Sequence, residues 1–369
     1  MKIIGTNIIS SLGFTTEENF NSVKEGVSGV KHYDVGTFDL PEAFMASLID
    51  RKKLNDEFAK ISSKHDYTDL EKAAILSIYT ANQEAQIDLS SKKTIFILST
   101  TKGNIDLYGQ SIYLWHTAEL ISNFFKNSNT PIVVSNACIS GAAAQIVAMR
   151  ELEVENYENA VVVGVDFLSK FIISGFQSFK ALSSELCRPF DKERCGLNLG
   201  EAAATMIFTI CDNNKSQIVL LNGTIRNDAN HISAPSRTGE GSYRALKHIL
   251  KSQNLMFQIS FINAHGTATP YNDAMEVNAI VRAGLENVPV NSLKAFFGHT
   301  LGAAGLLESI VSIKALEKNI ILKSMNFYEQ DFENKINISK ENQVSDKKYF
   351  IKMVSGFGGV NAVLLFEKC

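Results

Sequence analysis

"VSNACISGAAAQIVAMREL", residues 134–152, joins an apolar run to a helix rich in small residues through a single cysteine, Cys138. The run from Pro131 to Val134 is short and β-branched, and Ala142 to Leu152 is dense in helix formers. A strand that feeds directly into a helix is the building unit of layered α/β folds. The thiol at this junction sits where the first helical N–H groups have no intrahelical partner. A helix N-terminus favours negative charge, so the position predicts a thiol of lowered pKa. The same amides could hold a developing oxyanion. Ser140, Gly141 and Ala142 are small enough to let a substrate approach closely. The plainer reading is a buried structural cysteine.

Working outward, further apolar runs have the length of strands. "KTIFILST" ends at Thr100, "NAVVVGVDF" at Phe167 and "AAATMIFTI" at Ile210. After the polar connector "CDNNKSQ", residues 211–217, come "IVLLNGTI", "ISFINAHGT", "VPVNSLKAFFGH" and "VNAVLLFEK". The runs are continuous rather than alternating, which predicts strands covered on both faces. At the start, a strand, a turn at Gly13 and a helix capped by Thr15 and Glu18 are expected. Residues 339–348 read as a surface loop. "SNACISGAAA" and "GHTLGAAGLL" are faintly alike, which suggests an internal duplication.

The chain has 369 residues, and a single core stops growing at roughly 250–300 residues, so two core units are expected: 1–211 and 217–369. A net charge of −3 gives no footprint for nucleic acid, and no apolar run is long enough to span a membrane. The broken apolar start is not a signal peptide, so the expected compartment is the cytoplasm. The five cysteines form no C-x-x-C pair, and neither metal-ligand spacing nor a disulfide framework is evident.

Two histidines share the setting of Cys138. His265 in "NAHGTATP" and His299 in "KAFFGHTLGAAG" each follow an apolar run and stand beside glycine and threonine. Open α/β sheets place their sites at the carboxyl ends of strands, so all three could converge. His32, His65, His116 and His248 lack such a setting and read as surface or packing residues. Lys294, Asp273 and Glu276 are most simply surface charges; a Lys–Glu pair ordering the histidines is the sharper option. "SGFGGVN", residues 355–361, reads as a tight turn or as a mobile wall carrying Phe357. It is neither a dinucleotide fingerprint nor a phosphate loop.

Taken together, these stretches resemble the β-ketoacyl-acyl carrier protein synthases, within the thiolase-like superfamily. "NACISGAAA", "RPFDKERCGLNLGEAAA", "NAHGTATPYNDAMEV", "KAFFGHTLGAAGLLES" and "SGFGGVN" match the family's motifs in order along the whole chain. The resemblance implies a five-layered αβαβα fold of two similar halves, normally dimeric, alone or with a related ketosynthase-like subunit. It implies an acyltransferase that performs a decarboxylative Claisen condensation, with Cys138 accepting the acyl group. His265 and His299 would promote decarboxylation of a malonyl thioester. Lys294 would support His299, paired with Glu276. Thr267 and Thr269 would bind the phosphopantetheine arm of acyl carrier protein, with no cofactor or metal bound by the chain itself. Phe357 would act as gate, its amide joining that of Cys138 in an oxyanion hole. Phe176 would line the acyl pocket, and Lys180 would face the carrier protein.

The chain departs from the family pattern at "STTKGNIDL", residues 99–107, where Lys102 stands near the expected acyl pocket. The segment from Lys102 to Cys138 is also short for the family. Both departures point to a specialised polyene, aryl-polyene or polyketide pathway rather than ordinary fatty-acid elongation. A non-catalytic partner subunit that sets chain length is the competing reading; such partners typically lack the nucleophile.

Overall fold

The computed structural model describes residues 1–63, 66–107, 112–211, 217–230, 235–250 and 253–369. The connector residues 212–216 and His65 lie outside the described residues. Ten strands form one mixed sheet. They are β1 (Lys2–Ile9), β2 (Thr94–Ser99), β3 (Ile132–Val134), β4 (Asn159–Asp166) and β5 (Ala202–Thr209). Then come β6 (Ile218–Asn227), β7 (Ile259–Asn263), β8 (Val290–Asn291), β9 (Tyr349–Gly356) and β10 (Val360–Lys368).

The sheet order is β8-β7-β9-β10-β6-β1-β5-β4-β2-β3. Each half runs first, fifth, fourth, second, third strand from its inner edge. In each, two antiparallel pairings are followed by two parallel ones. The faint sequence duplication is therefore a duplication of wiring. The halves meet where Lys2 lies opposite Val219, and the Met1 amine donates to the Leu220 carbonyl at 3.2 Å.

The helices that matter are α1 (Thr16–Glu25), α2 (Asp69–Ala85), α3 (Leu114–Phe124), α4 (Ser140–Glu153), α5 (Glu240–Ile249), α6 (Pro270–Arg282) and α7 (Ala304–Glu317). Helices α2 and α3 cover the outer face of the first half-sheet, and α5 and α6 that of the second. Helices α4 and α7 lie between the half-sheets. The central core joins Ile97, Val162 and Phe208 from one half-sheet to Phe261, Phe350 and Leu364 from the other. This is the five-layered αβαβα thiolase-like fold of two similar halves. Strands β2 and β5 are buried at every residue, the physical reason their sequences do not alternate.

The central helices cross almost backbone to backbone. A Cβ on Gly141 would lie 2.8 Å from the Gly302 carbonyl oxygen, and one on Gly305 would lie 2.7 Å from the Ala142 nitrogen. Ser140, Gly141 and Ala142 are fully buried in this crossing. Their small size serves helix packing, not the substrate approach expected from the sequence.

Helix α1 begins with the anticipated capping box, Thr15 accepting from the Glu18 N–H at 3.2 Å and Glu18 from the Thr15 N–H at 3.0 Å. Two elements differ from the sequence reading. In "VPVNSLKAFFGH" only Val290–Asn291 is strand, and Lys294–Phe297 is one helical turn. That turn is buried on all sides, so its apolar run reflects burial rather than strand. Strand β9 went unread because Lys352 interrupts its apolar run. Residues 339–348 are largely exposed, with a two-residue strand at Gln343–Val344.

Candidate active site

Cys138 stands two residues before α4, on a turn whose Ala137 has φ of +45°, a left-handed conformation unusual outside glycine. The Ser140 hydroxyl locks the turn by donating to the Ala137 carbonyl at 2.6 Å and accepting from the Asn136 N–H at 2.8 Å. Gly356 lets the end of β9 pack close by, since a Cβ there would sit 3.2 Å from the Cys138 nitrogen. The Phe357 N–H then hydrogen-bonds the cysteine side chain. Burial pushes the thiol up to about 11, with Asp166 adding to the rise and Lys294 and Lys102 opposing it. Desolvation thus outweighs nearby positive charge, and the resting thiol is not the lowered one that its place before a helix predicted.

His265 follows β7. Its N–H donates to one carboxylate oxygen of Glu276, and the Gly266 N–H to the other, both at 2.7 Å. Glu276 on α6 therefore clamps the backbone of the histidine turn. Burial, then the neighbouring Asp273, pushes its carboxyl up to about 7. Asp273, raised to about 6 by burial, accepts from the Phe190 N–H at 2.7 Å.

His299 is held by the stretch "RPFDKERCGLNLGEAAA". Its N–H donates to the Asn198 carbonyl at 2.6 Å, and its carbonyl accepts from the Gly200 N–H at 3.0 Å. The Leu301 N–H donates to His299 Nδ1 at 3.3 Å, which puts the proton of a neutral ring on Nε2. Asp166 on β4 steadies the next turn, accepting from the Gly302 N–H at 2.6 Å.

These elements bring Cys138, His265 and His299 together. A donor atom from each lies within 4.8 Å of the others, and all three residues are buried. It is the one such three-residue group of cysteine, histidine and acidic side chains among the described residues. The imidazole rings are 5.1 Å apart, nearly perpendicular at 81°. Neither His265 Nδ1 nor His299 Nε2 has a hydrogen-bond partner among the described residues. Burial first, and Lys294 next, hold both imidazoles well below their ordinary pKa, so both are neutral at neutral pH.

The charges beneath differ from the expected pairing. The ammonium of Lys294 donates to Glu308 on α7, not to Glu276, whose oxygens are occupied by backbone amides. Glu308 also accepts from Lys352, so one carboxylate serves two buried ammonium groups. None of these side chains is a surface charge. Sequence reasoning missed Glu308 and Lys352. The available signal was the same for each: a lone charge inside an apolar run, "LGAAGLLESIVSI" and "YFIKMV".

Cys138, His265 and His299 line a cavity of about 510 Å³ together with Phe176, Phe179, Lys180, Cys195, Thr267, Thr269, Tyr271 and Phe357. The Thr267 and Thr269 hydroxyls are 2.8 Å apart. The Phe357 ring stacks on Phe176 at 6.1 Å and meets Phe179 at 5.6 Å. Lys180 is exposed on the cavity lining. Lys102 does not line this cavity; it is exposed, its N–H donating to Asp166 at 3.4 Å. His32, His116 and His248 lie away from the lining.

A pocket in which one buried thiol meets two neutral imidazoles suits covalent capture of an acyl group beside donors for a developing negative oxygen. Comparison with known proteins agrees with this chemistry. The model of the beta-ketoacyl synthase N-terminal domain matches residues 2–209, and that of the C-terminal domain residues 218–328. A 3-oxoacyl-[acyl-carrier-protein] synthase 2 from Vibrio harveyi is 26% identical over 99% of this chain and 98% of its own length. Among solved structures, a beta-ketoacyl synthase from Burkholderia phymatum STM815 superposes with a TM-score of 0.87 at 23% identity, over 100% of both chains. The ketosynthase ApeO, in complex with its chain length factor ApeC from Xenorhabdus doucetiae, gives 0.85 at 23% identity, over 100% of this chain and 98% of its own.

Proposed function

The chain belongs to the β-ketoacyl synthase family, and on that premise we propose that it condenses an acyl thioester with malonyl-acyl carrier protein to give a β-ketoacyl thioester. The observation that carries the reading is the meeting of the Cys138 sulfur with two neutral imidazoles in one cavity. In the first half-reaction the sulfur attacks the acyl carbonyl. The oxyanion accepts from the N–H groups of Cys138 and Phe357, and the phosphopantetheine thiol leaves with the proton that Cys138 gives up. In the second, the malonyl carboxylate leaves as carbon dioxide and its bonding electrons pass into an enolate. His299 Nε2–H and the His265 ring donate to the enolate oxygen. The enolate carbon then attacks the Cys138 thioester, the carbon–sulfur bond breaks, and the released thiolate takes up one proton from water.

Glu276 holds the His265 turn, and Lys294, held by Glu308, opens the helical turn before His299 and acts on its ring directly. The reading assigns Thr267 and Thr269 to the phosphopantetheine arm and Phe357 with Phe176 to the gate and acyl pocket. Lys180, with Phe179 beside it, is assigned to the carrier protein. The two units, 1–211 and 217–369, supply the thiol and the histidines respectively. A second copy, or a related subunit, would add to the edge of β3, whose outer side has no strand neighbour among the described residues. Cytoplasmic residence is part of the proposal; among the described residues no helix is long and apolar enough to cross a membrane.

Incubation with a labelled acyl carrier thioester tests the reading. Label should transfer to Cys138 and be lost in Cys138→Ala, by about 10³-fold or more. No transfer to the unaltered protein would favour a non-catalytic partner subunit. The departure at "STTKGNIDL" supports a specialised polyene, aryl-polyene or polyketide role; a clear preference for saturated chains over unsaturated or aryl-capped ones would exclude it.

A further inference from the structure

One buried cation is left over by this chemistry. Lys352 lies in the middle of β9 and is fully buried. Its ammonium donates to Asn263 Oδ1 at 2.6 Å and to the Ala264 carbonyl at 3.3 Å, the two residues that precede His265. It also donates to Glu308. Three donors thus meet three acceptors, on β7, on the loop after it and on α7. Glu308 in turn holds Lys294, which opens the short helix leading to His299.

A hydrocarbon side chain would fill such a site without the cost of desolvating a charge. Lys352 must therefore do something that hydrocarbon cannot. It is the polar link between the strand end that delivers His265 and the carboxylate that anchors the His299 segment. We propose that Lys352 is a positioning residue for the decarboxylation step, fixing the spacing of the two imidazoles through Asn263, Ala264 and Glu308. The inference rests on the condensing reading above.

The charge acts in the same direction. Lys294 and Lys352 act on both imidazoles, with Glu308 between the two lysines; the other titratable groups of the site are Glu276 and Asp273 beside the His265 turn, and Cys138 and Asp166 from the first half. Burial and Lys294 dominate the lowering of both histidines, and Lys352 adds to it. Burial brings Lys352 itself down to about 8 against the pull of Glu308, so it is mostly charged at pH 7. Removing that charge raises the proton affinity of both rings.

The test measures carbon dioxide release from malonyl-acyl carrier protein and acylation of Cys138 separately, across pH, in Lys352→Met and Lys352→Gln. Lys352→Met should slow decarboxylation by about tenfold or more in kcat, with KM and acylation little changed, and should move the acid limb of the decarboxylation profile to higher pH. Lys352→Gln should recover part of the rate through its contact with Asn263 while keeping the displaced limb. Equal loss of both half-reactions with no displacement, or no loss at all, overturns the proposal. If Lys352→Met does not fold, Asn263→Ala removes the 2.6 Å acceptor and leaves every charge; it should slow decarboxylation without moving the limb, and an unchanged rate overturns the proposal. An unaltered protein that releases no carbon dioxide defeats the condensing reading instead.

Discussion

Helix α4 follows the third strand of the first half, and α7 follows the third strand of the second. Cys138 stands three residues before Gly141, and His299 three residues before Gly302. The wiring around these positions is the same, yet the surroundings are opposite in kind. Behind Cys138 the buried face of α4 is Ser140, Gly141, Ala142 to Ala144, Gln145, Ile146 and Ala148, with no charge. Strand β4 is apolar or glycine from Ala160 to Val165. Behind His299 the corresponding elements hold Glu308 on α7 and Lys352 on β9, joined by Lys294. An apolar setting keeps a thiol protonated until its substrate arrives. Burial first, and then a setting with two cations and one anion, keeps the imidazoles neutral and therefore able to donate without fixed charge. Duplicated topology fixes where reactive groups stand, and the side chains beneath decide what they can do.

The largest expected effect separates the two regions outright. His299→Ala should lower decarboxylation of the malonyl thioester by about 10²–10³-fold, the usual loss for one donor to a developing oxyanion. Acylation of Cys138 should continue. Parallel loss of both half-reactions would show that the regions do not divide the labour. A smaller effect probes the crossing that joins them. Gly305→Ala pushes a methyl toward the Ala142 nitrogen, where a Cβ would stand at 2.7 Å, and should cost about 1–3 kcal/mol in urea unfolding. An unchanged midpoint would mean that the helices can part at no cost. A last test, which alters no residue, sharpens the contrast in electrostatics. With the thiol raised to about 11, alkylation of Cys138 by iodoacetamide should rise about tenfold per pH unit from about pH 7 to 10. A plateau below about pH 9 would show that the helix N-terminus wins over burial.

Much of this was legible in the residues. Cys138, His265 and His299 could be picked out because each ends an apolar run beside small residues, and that pattern survives translation into one dimension. The capping box at Thr15 and Glu18 is purely local and was read correctly. Strand β9 was not, because a lysine inside an apolar run looks like a break unless its partners are known. The same ignorance of partners gave Lys294 the wrong carboxylate and left Glu308 unnoticed.

By itself the sequence determined the layered α/β class, the order of the strand-to-turn junctions and which three side chains gather in the cavity, since these rest on periodicity and on neighbours a few residues apart. Only the tertiary structure decided that Gly141 and Gly305 serve a helix crossing, that Glu308 joins two lysines, and that burial raises the thiol. Each of these depends on contacts between residues far apart in the chain, and on the low dielectric that forms only when the layers close over them.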